Sequence, residues 1–156
     1  MKNHKLLWLF LAFSLLAIAA AQKPNLSGTW KLDPLRSRFD AIPAPKSGVL
    51  KIEHQEPKLH LTVDMAGKNG ASTQDLDLTT DGTEQKITIG GQPATASAYW
   101  QDDQHLVIEV QRETPGGTLV ESRRMHPGDK GKMLTTVFSV KDTSGQKSAY
   151  GFYVKE

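Results

Sequence analysis

The 156-residue sequence has no cysteine. This excludes thiolate catalysis, disulfide exchange, Cys-ligated metals and a disulfide framework. It also excludes a lipid-anchored lipoprotein, since no cysteine follows the apolar N-terminal run. Internal repeats, low-complexity tracts and stretches of amphipathic helical period are absent, so a helical bundle is not expected. An excess of one charge is missing as well. The chain has 19 Lys+Arg against 17 Asp+Glu, and two of the lysines, Lys2 and Lys5, lie in the first 21 residues with no acid beside them. Residues 22–156 therefore carry 17 of each sign. Without a basic stripe, neither nucleic acid nor an anionic membrane surface is an expected partner.

What is present begins with a leader. Lys2 and Lys5 precede an apolar run, Leu6 to Ile18, with Ser14 its one polar residue, and Ala19-Ala20-Ala21 puts small residues where a signal peptidase reads. The run is about thirteen residues, short of the roughly twenty a membrane span needs. Residues 1–21 are thus expected to be a cleaved signal peptide, with the cut before Gln22. Residues 22–156 are expected to form one domain, periplasmic or secreted, with no stable membrane insertion after cleavage. A domain of that length buries roughly two-thirds of its unfolded surface.

From Gly28 onward, short alternating apolar and polar runs are separated by turn residues. Strands are expected near 28–33, 48–55, 58–66, 72–80, 84–90, 93–101, 105–113, 117–126, 132–141 and 147–155. The punctuation includes Glu56-Pro57, Asp81-Gly82, Asp102-Asp103, Pro115-Gly116-Gly117 and Ser144-Gly145. Every gap is short, so all successive strands are expected to pair antiparallel. Pro34 to Lys46 is too proline-rich for a long helix, and one helical turn around Leu35 to Phe39 followed by an extended crossing is expected. Closing the hairpin at Gln55–Lys58 opposes His54 to Leu59, Ile52 to Leu61 and Leu50 to Val63. A loop at Asp102–Gln104 opposes Trp100 to Leu106, Ala98 to Ile108 and Ala96 to Val110. In both hairpins one face is apolar, which pins the register. A sheet greasy on one side has to cover that side. A meander of this length does so most simply by curling up, giving an all-β, antiparallel up-and-down barrel of about eight to ten strands. Ala96 and Ala98 leave room on its inner face.

Gly28-Thr29-Trp30 resembles the G-x-W signature of lipocalins and the G-T-W-K-L opening of fatty-acid-binding proteins. Gly131-Lys132-Met133 and Tyr153-Val154-Lys155 are similar to the last hairpin of the latter. The stretch SGTWKLDPLRSRF is also similar to small exported bacterial lipocalin-like proteins, which carry S-G-T-W-K-L and then S-x-F, here Ser37-Arg38-Phe39. The resemblance implies a calycin-like barrel with a ligand cavity. It implies structural roles for Gly28, which lets the chain pass close, and for Trp30, which closes the base. Two positions depart from the fatty-acid-binding pattern. Gly151 stands where that family places an Arg two residues before the final Tyr, and Pro34–Lys46 is too short for its helical lid.

Candidate ligand-binding residues follow from the alternation. Arg123 and Arg124 are adjacent on one strand, so one faces inward. If it is Arg124, Val120, Ser122 and His126 accompany it, and an inward cation is free for an anionic ligand group. If it is Arg123, Leu119, Glu121 and Met125 accompany it, and Glu121 or a neighbour is the expected partner. The structural alternative is that the inward Arg sits at the barrel end and stacks on Trp30, as the resemblance to lipocalins implies, or that the strand frays into solvent. His54 lies on the apolar face of its hairpin, either as a cavity hydrogen-bonding group or haem ligand, or as a strand-end histidine satisfied locally. Tyr150, if Phe138 meets it or Phe152, adds a hydroxyl to an aromatic inner wall, and Trp100 offers a similar polar handle. His60 faces Glu53 on the outside. No residues show metal-site spacing, and neither a metal nor a cofactor is expected. There is no Gly-x-Ser-x-Gly elbow, HExxH or phosphate loop, so no catalytic residue is assigned. The favoured function is binding a small apolar or amphipathic ligand in the barrel. The alternatives are a filled barrel acting as an envelope or interaction module, and a haem-binding protein or cavity enzyme.

Overall fold

The computed structural model describes residues 22–156, so the leader assigned to residues 1–21 lies outside the described residues. Ten strands run along the described chain: β1 (Gly28–Leu32), β2 (Ser47–Gln55), β3 (Lys58–Gly67), β4 (Gly70–Thr79), β5 (Gln85–Ile89), β6 (Gln92–Trp100), β7 (Leu106–Thr114), β8 (Gly117–Gly128), β9 (Met133–Asp142) and β10 (Gly145–Lys155). No α-helix occurs among the described residues; a 3₁₀ turn at Asp129–Gly131 joins β8 to β9. The strands form one antiparallel sheet in the order β4-β3-β2-β1-β10-β9-β8-β7-β6-β5. Pairing of β1 with β10 curls it into a nearly closed barrel.

The hairpin registers are those the alternation requires. His54 opposes Leu59, Ile52 opposes Leu61 and Leu50 opposes Val63. Trp100 opposes Leu106, Ala98 opposes Ile108 and Ala96 opposes Val110. Inward residues from all these strands join one hydrophobic core with Trp30, Leu134 and Tyr153. Burying each large aliphatic side chain contributes roughly 1.5–3 kcal/mol, and a one-residue slip would forfeit a whole strand's share.

Two expectations need correction. First, β4 and β5 do not pair, although only five residues separate them. Past β4 the backbone is taken up by β6: Asp81 bridges Tyr99, and the Gly82 N–H donates to the Ala98 carbonyl at 2.8 Å. The Asp81 carboxylate fixes that departure by accepting from Thr79 Oγ1 at 2.8 Å and the Thr83 N–H at 3.0 Å. Second, Leu35–Phe39 does not make a helical turn. The chain turns at Pro34–Arg36, with Asp33 Oδ1 accepting from the Leu35 N–H at 3.0 Å. Arg38 then pairs its backbone with Tyr150. The reason lies in β10, which outruns β1: Leu32 meets Tyr153, and the β10 backbone beyond needs partners. Asp33, Ser37 and Arg38 supply them. The Asp33 N–H donates to the Phe152 carbonyl at 2.7 Å, and Ser37 Oγ accepts from the Phe152 N–H at 2.9 Å. The Ser37-Arg38-Phe39 motif is thus a short continuation of β1 that turns Phe39 onto the core.

The base of the barrel is a polar-backed plug. Trp30 is 1% exposed, and its Nε1–H donates to the Leu26 carbonyl at 2.9 Å. Lys155, at the end of β10, places its ammonium 5.1 Å from the Trp30 ring centre. The cation over this tryptophan is therefore Lys155, not the inward Arg of β8. Gly28, at φ 145°, leaves space for that lysine: a Cβ there would run into the Lys155 stem. Trp30→Ala is expected to lower the unfolding free energy by about 3–5 kcal/mol. Leu35→Ala, at a side chain 96% exposed, should change it by less than about 0.5 kcal/mol. Urea denaturation of both variants checks the contrast.

Candidate functional site

Above the plug the interior is not filled. A cavity of about 260 Å³ opens between the core and the mouth of the barrel. That is slightly less than the roughly 300–1,000 Å³ of drug-sized ligand sites. Leu61, Val63, Leu76, Ile108, Val110 and Phe138 form its apolar wall, and Phe39, Ile42, Pro43 and Pro45 of the β1–β2 crossing roof it. Ala96 and Ala98 are buried in the core and do not line the cavity. The space is left instead by the upper halves of β3, β4 and β7–β10.

The polar groups in this wall come from β8, β9 and β10. The β7–β8 hairpin pairs Thr114 with Gly117, hence Val110 with Glu121 and Ile108 with Arg123. Ile108 and Val110 face inward, so Arg123, Glu121 and Met125 do too, and Arg124 points outward into solvent. Of the two possibilities for β8, the structure therefore selects Arg123. Its guanidinium carbon lies 5.1 Å from the Phe138 ring centre. Its expected partner, Glu121, is taken by Arg112, whose Nη2 lies 3.4 Å from Glu121 Oε1. Arg123 is left without an ion-pair partner among the described residues. Beside it stands Tyr153, 2% exposed. Burial pushes the Tyr153 hydroxyl up from its ordinary pKa, and the nearby Arg123 cation and Thr136 hydroxyl offset this only in part. Tyr153 thus keeps its proton as a hydrogen-bond donor at the cavity wall.

Gly151 explains the missing second arginine. A Cβ at this position would stand 2.7 Å from Thr136 Oγ1 and 2.8 Å from the Tyr153 ring. The ring and hydroxyl occupy the space a larger residue would need. Strand β10 therefore adds no cation to this cavity.

The other candidate residues are elsewhere. Phe138 opposes Ala149, and Tyr150 opposes Val137 on the outer face, where it is 54% exposed. The inner wall of β10 is Ala149, Gly151 and Tyr153, so the expected Phe138–Tyr150 inner pair does not form. Arg124 and Tyr150 both line a groove outside the barrel, together with His126. His54 is buried at the base, below the cavity. Its Nδ1 accepts from the Leu26 N–H at 3.3 Å, which puts the ring proton on Nε2, 2.9 Å from Glu56 Oε1. Both nitrogens are engaged, as in the locally satisfied strand-end alternative, and neither is presented to a ligand. Trp100 is at the same end, 5.9 Å from His54 between ring centres. Among the described residues no cluster of three or more His, Cys, Asp and Glu is placed to hold a metal ion. No helix among them is long and apolar enough to cross a membrane.

The residue that gathers the base is Glu56, which the sequence does not single out. Its Oε1 accepts from Trp100 Nε1 at 2.6 Å and from His54 Nε2, and its Oε2 accepts from Thr80 Oγ1 at 2.5 Å. Burial raises its pKa, but the three side-chain hydrogen bonds and the His54 imidazole together outweigh that, and the net direction is down.

No protein-family model matches the sequence, and no curated protein matches it. Solved structures do. A zebrafish ileal bile acid-binding protein complexed with cholic acid superposes with a TM-score of 0.54 at 14% identity, covering 88% of this chain and 100% of that one. Human cRBP IV gives a TM-score of 0.54 at 14% identity over 85% of this chain and 99% of its own. A Schistosoma mansoni fatty acid binding protein in complex with arachidonic acid gives 0.52 at 14% identity over 84% and 96%. The fold is that of a calycin-like barrel. At this identity the likeness speaks for the architecture, and the chemistry has to be argued from the residues of the cavity.

A depressed carboxylate pKa contributes stability above its unfolded value, and that contribution fades as pH falls through the folded value. Glu56→Gln should therefore be less stable than the wild type at pH 7, by about 1 kcal/mol for hydrogen bonds to a partly exposed charge. The deficit should shrink below about pH 4, the ordinary range of a glutamate. Thermal melts of both proteins between pH 3 and 7 test this.

Proposed function

We propose that the protein is an exported binding protein for a small amphipathic acid, held non-covalently inside the calycin-like barrel. The observation that carries this reading is Arg123, a cation in the wall of an apolar cavity with no ion-pair partner among the described residues. An unpaired inward charge is costly unless something completes it. A ligand carboxylate would do so, taking charge-assisted hydrogen bonds from the guanidinium and a further one from the Tyr153 hydroxyl. The apolar tail would lie against Leu61, Val63, Leu76 and Ile108, where burial contributes roughly 25 cal/mol per Å² before ordering costs. The cavity volume fits a short-chain acid of about ten non-hydrogen atoms better than a long fatty acid. Two of the similar structures hold amphipathic acids of their own, cholic acid and arachidonic acid. Export rests on the leader, Lys2 through Ala21.

Octanoate is a suitable probe, with octanol as its neutral counterpart. Native mass spectrometry and calorimetry should show saturable octanoate binding to the wild type. Arg123→Gln should weaken it by about ten- to a hundredfold while leaving octanol nearly unchanged. Absence of octanoate binding, or equal loss for both probes, would overturn the anionic head-group assignment. The same protein recovered from the cell envelope or the medium should begin at Gln22 by N-terminal sequencing; recovery with Met1 still attached would overturn the export reading.

A further inference from the structure

The cavity wall carries a second charged group that a plain alkyl acid does not use. Glu121 lies two residues from Arg123 on the same inward face of β8, about 6.6 Å away along the strand. Both line the cavity. Glu121 is held only loosely. Its single ion pair, Oε1 to Arg112 Nη2, is long at 3.4 Å, and Oε2 has no hydrogen-bond donor among the described residues. The Arg112 Nε–H is buried and unpartnered, so the pair is not a fully satisfied structural network. From base to mouth the inward positions therefore read Arg123, Glu121 and Arg112: positive, negative, positive.

The middle charge has consequences for what can bind. A ligand that fills the cavity displaces water from Glu121. If only methylene groups replace that water, the carboxylate loses hydrogen bonds and gains none, which is the most unfavourable outcome for a partly buried polar group. If the ligand carries a hydroxyl or amino group there, Oε2 gains a donor. A site built to accept a hydrogen bond discriminates strongly against the analogue that lacks the donor.

We propose that Glu121 is a specificity-determining residue, selecting acids that bear a hydroxyl or amino donor a few bonds from the carboxylate over plain alkyl acids. This rests on the reading of the cavity as a site for an amphipathic acid with its carboxylate on Arg123. A hydroxyl and an ammonium share the donor chemistry that Glu121 offers to meet, and they differ in charge.

The test compares octanoate, 3-hydroxyoctanoate and 3-aminooctanoate by calorimetry on the wild type, Glu121→Gln and Glu121→Leu. The wild type should bind each donor-bearing acid more tightly than octanoate, on the order of tenfold. Glu121→Leu should reverse that order. Glu121→Gln keeps an acceptor oxygen without the charge, and so should retain the preference for the hydroxy acid and lose the additional preference for the amino acid. Thermal melts of the free variants show whether each is folded; if Glu121→Leu is not, Glu121→Gln still separates the two donors. Equal wild-type affinity for all three acids, or a preference unchanged in Glu121→Leu, overturns the role of Glu121 while leaving the Arg123 reading standing. Failure of all three acids to bind overturns both.

Discussion

The pleat of the strand is the constraint on which the rest of the molecule depends. Alternate residues of every strand point inward, so each inward position takes a packed apolar group, a polar group with a partner, or a wall of empty space. The lower half of the barrel takes the first two options. Trp30, Leu26, Leu106 and Met125 are buried there, and the polar atoms that intrude, Trp30 Nε1 and the two His54 nitrogens, are all hydrogen-bonded. The upper half takes the third. There the inward residues of β8 switch from Met125 to Arg123 and Glu121, the packing stops, and the cavity begins.

The two halves depend on each other through residues 22–46. The segment before β1 straps the base: Leu26 engages both Trp30 and His54, and Lys23 pairs with Asp103 at 2.8 Å. The segment after β1 covers the mouth, holding Phe39 inward by pairing Arg38 with Tyr150. One short strand thus anchors the floor at one end and the roof at the other. This is why the Gly28-Thr29-Trp30 and Ser37-Arg38-Phe39 motifs occur together within twelve residues of one chain.

Much of the architecture was legible in the sequence, and the reasons are specific. The β2–β3 and β6–β7 hairpins declared their registers because opposed residues on one face were apolar and those on the other were not. The β8 face could not be read in the same way. Each of its candidate inward sets mixes polar and apolar residues, so the alternation does not choose between Arg123 and Arg124. The choice depended on whether the β7–β8 turn holds two residues or more, and Pro115-Gly116-Gly117 is compatible with either. The observed pairing of Thr114 with Gly117 makes Pro115-Gly116 the turn, and Arg123 follows. Tyr150 was misplaced for the same cause of parity at the last hairpin. The missing β4–β5 pairing left no local trace, because it is decided by where β6 captures Asp81 and Gly82. Glu56 looked like a turn residue; its three partners come from positions 54, 80 and 100, and only the fold brings them together.

That unpaired junction between β4 and β5 also governs how the wall can deform. Every other join around the barrel is a ladder of backbone hydrogen bonds, and parting it would expose donors and acceptors that nothing else in the wall satisfies. At this one seam there is no such ladder: the backbone link is confined to Asp81 and Gly82, which β6 takes up. The structure is a split sleeve rather than a hoop. Parting the wall along that slit breaks few backbone hydrogen bonds and leaves the rest of the ribbon intact.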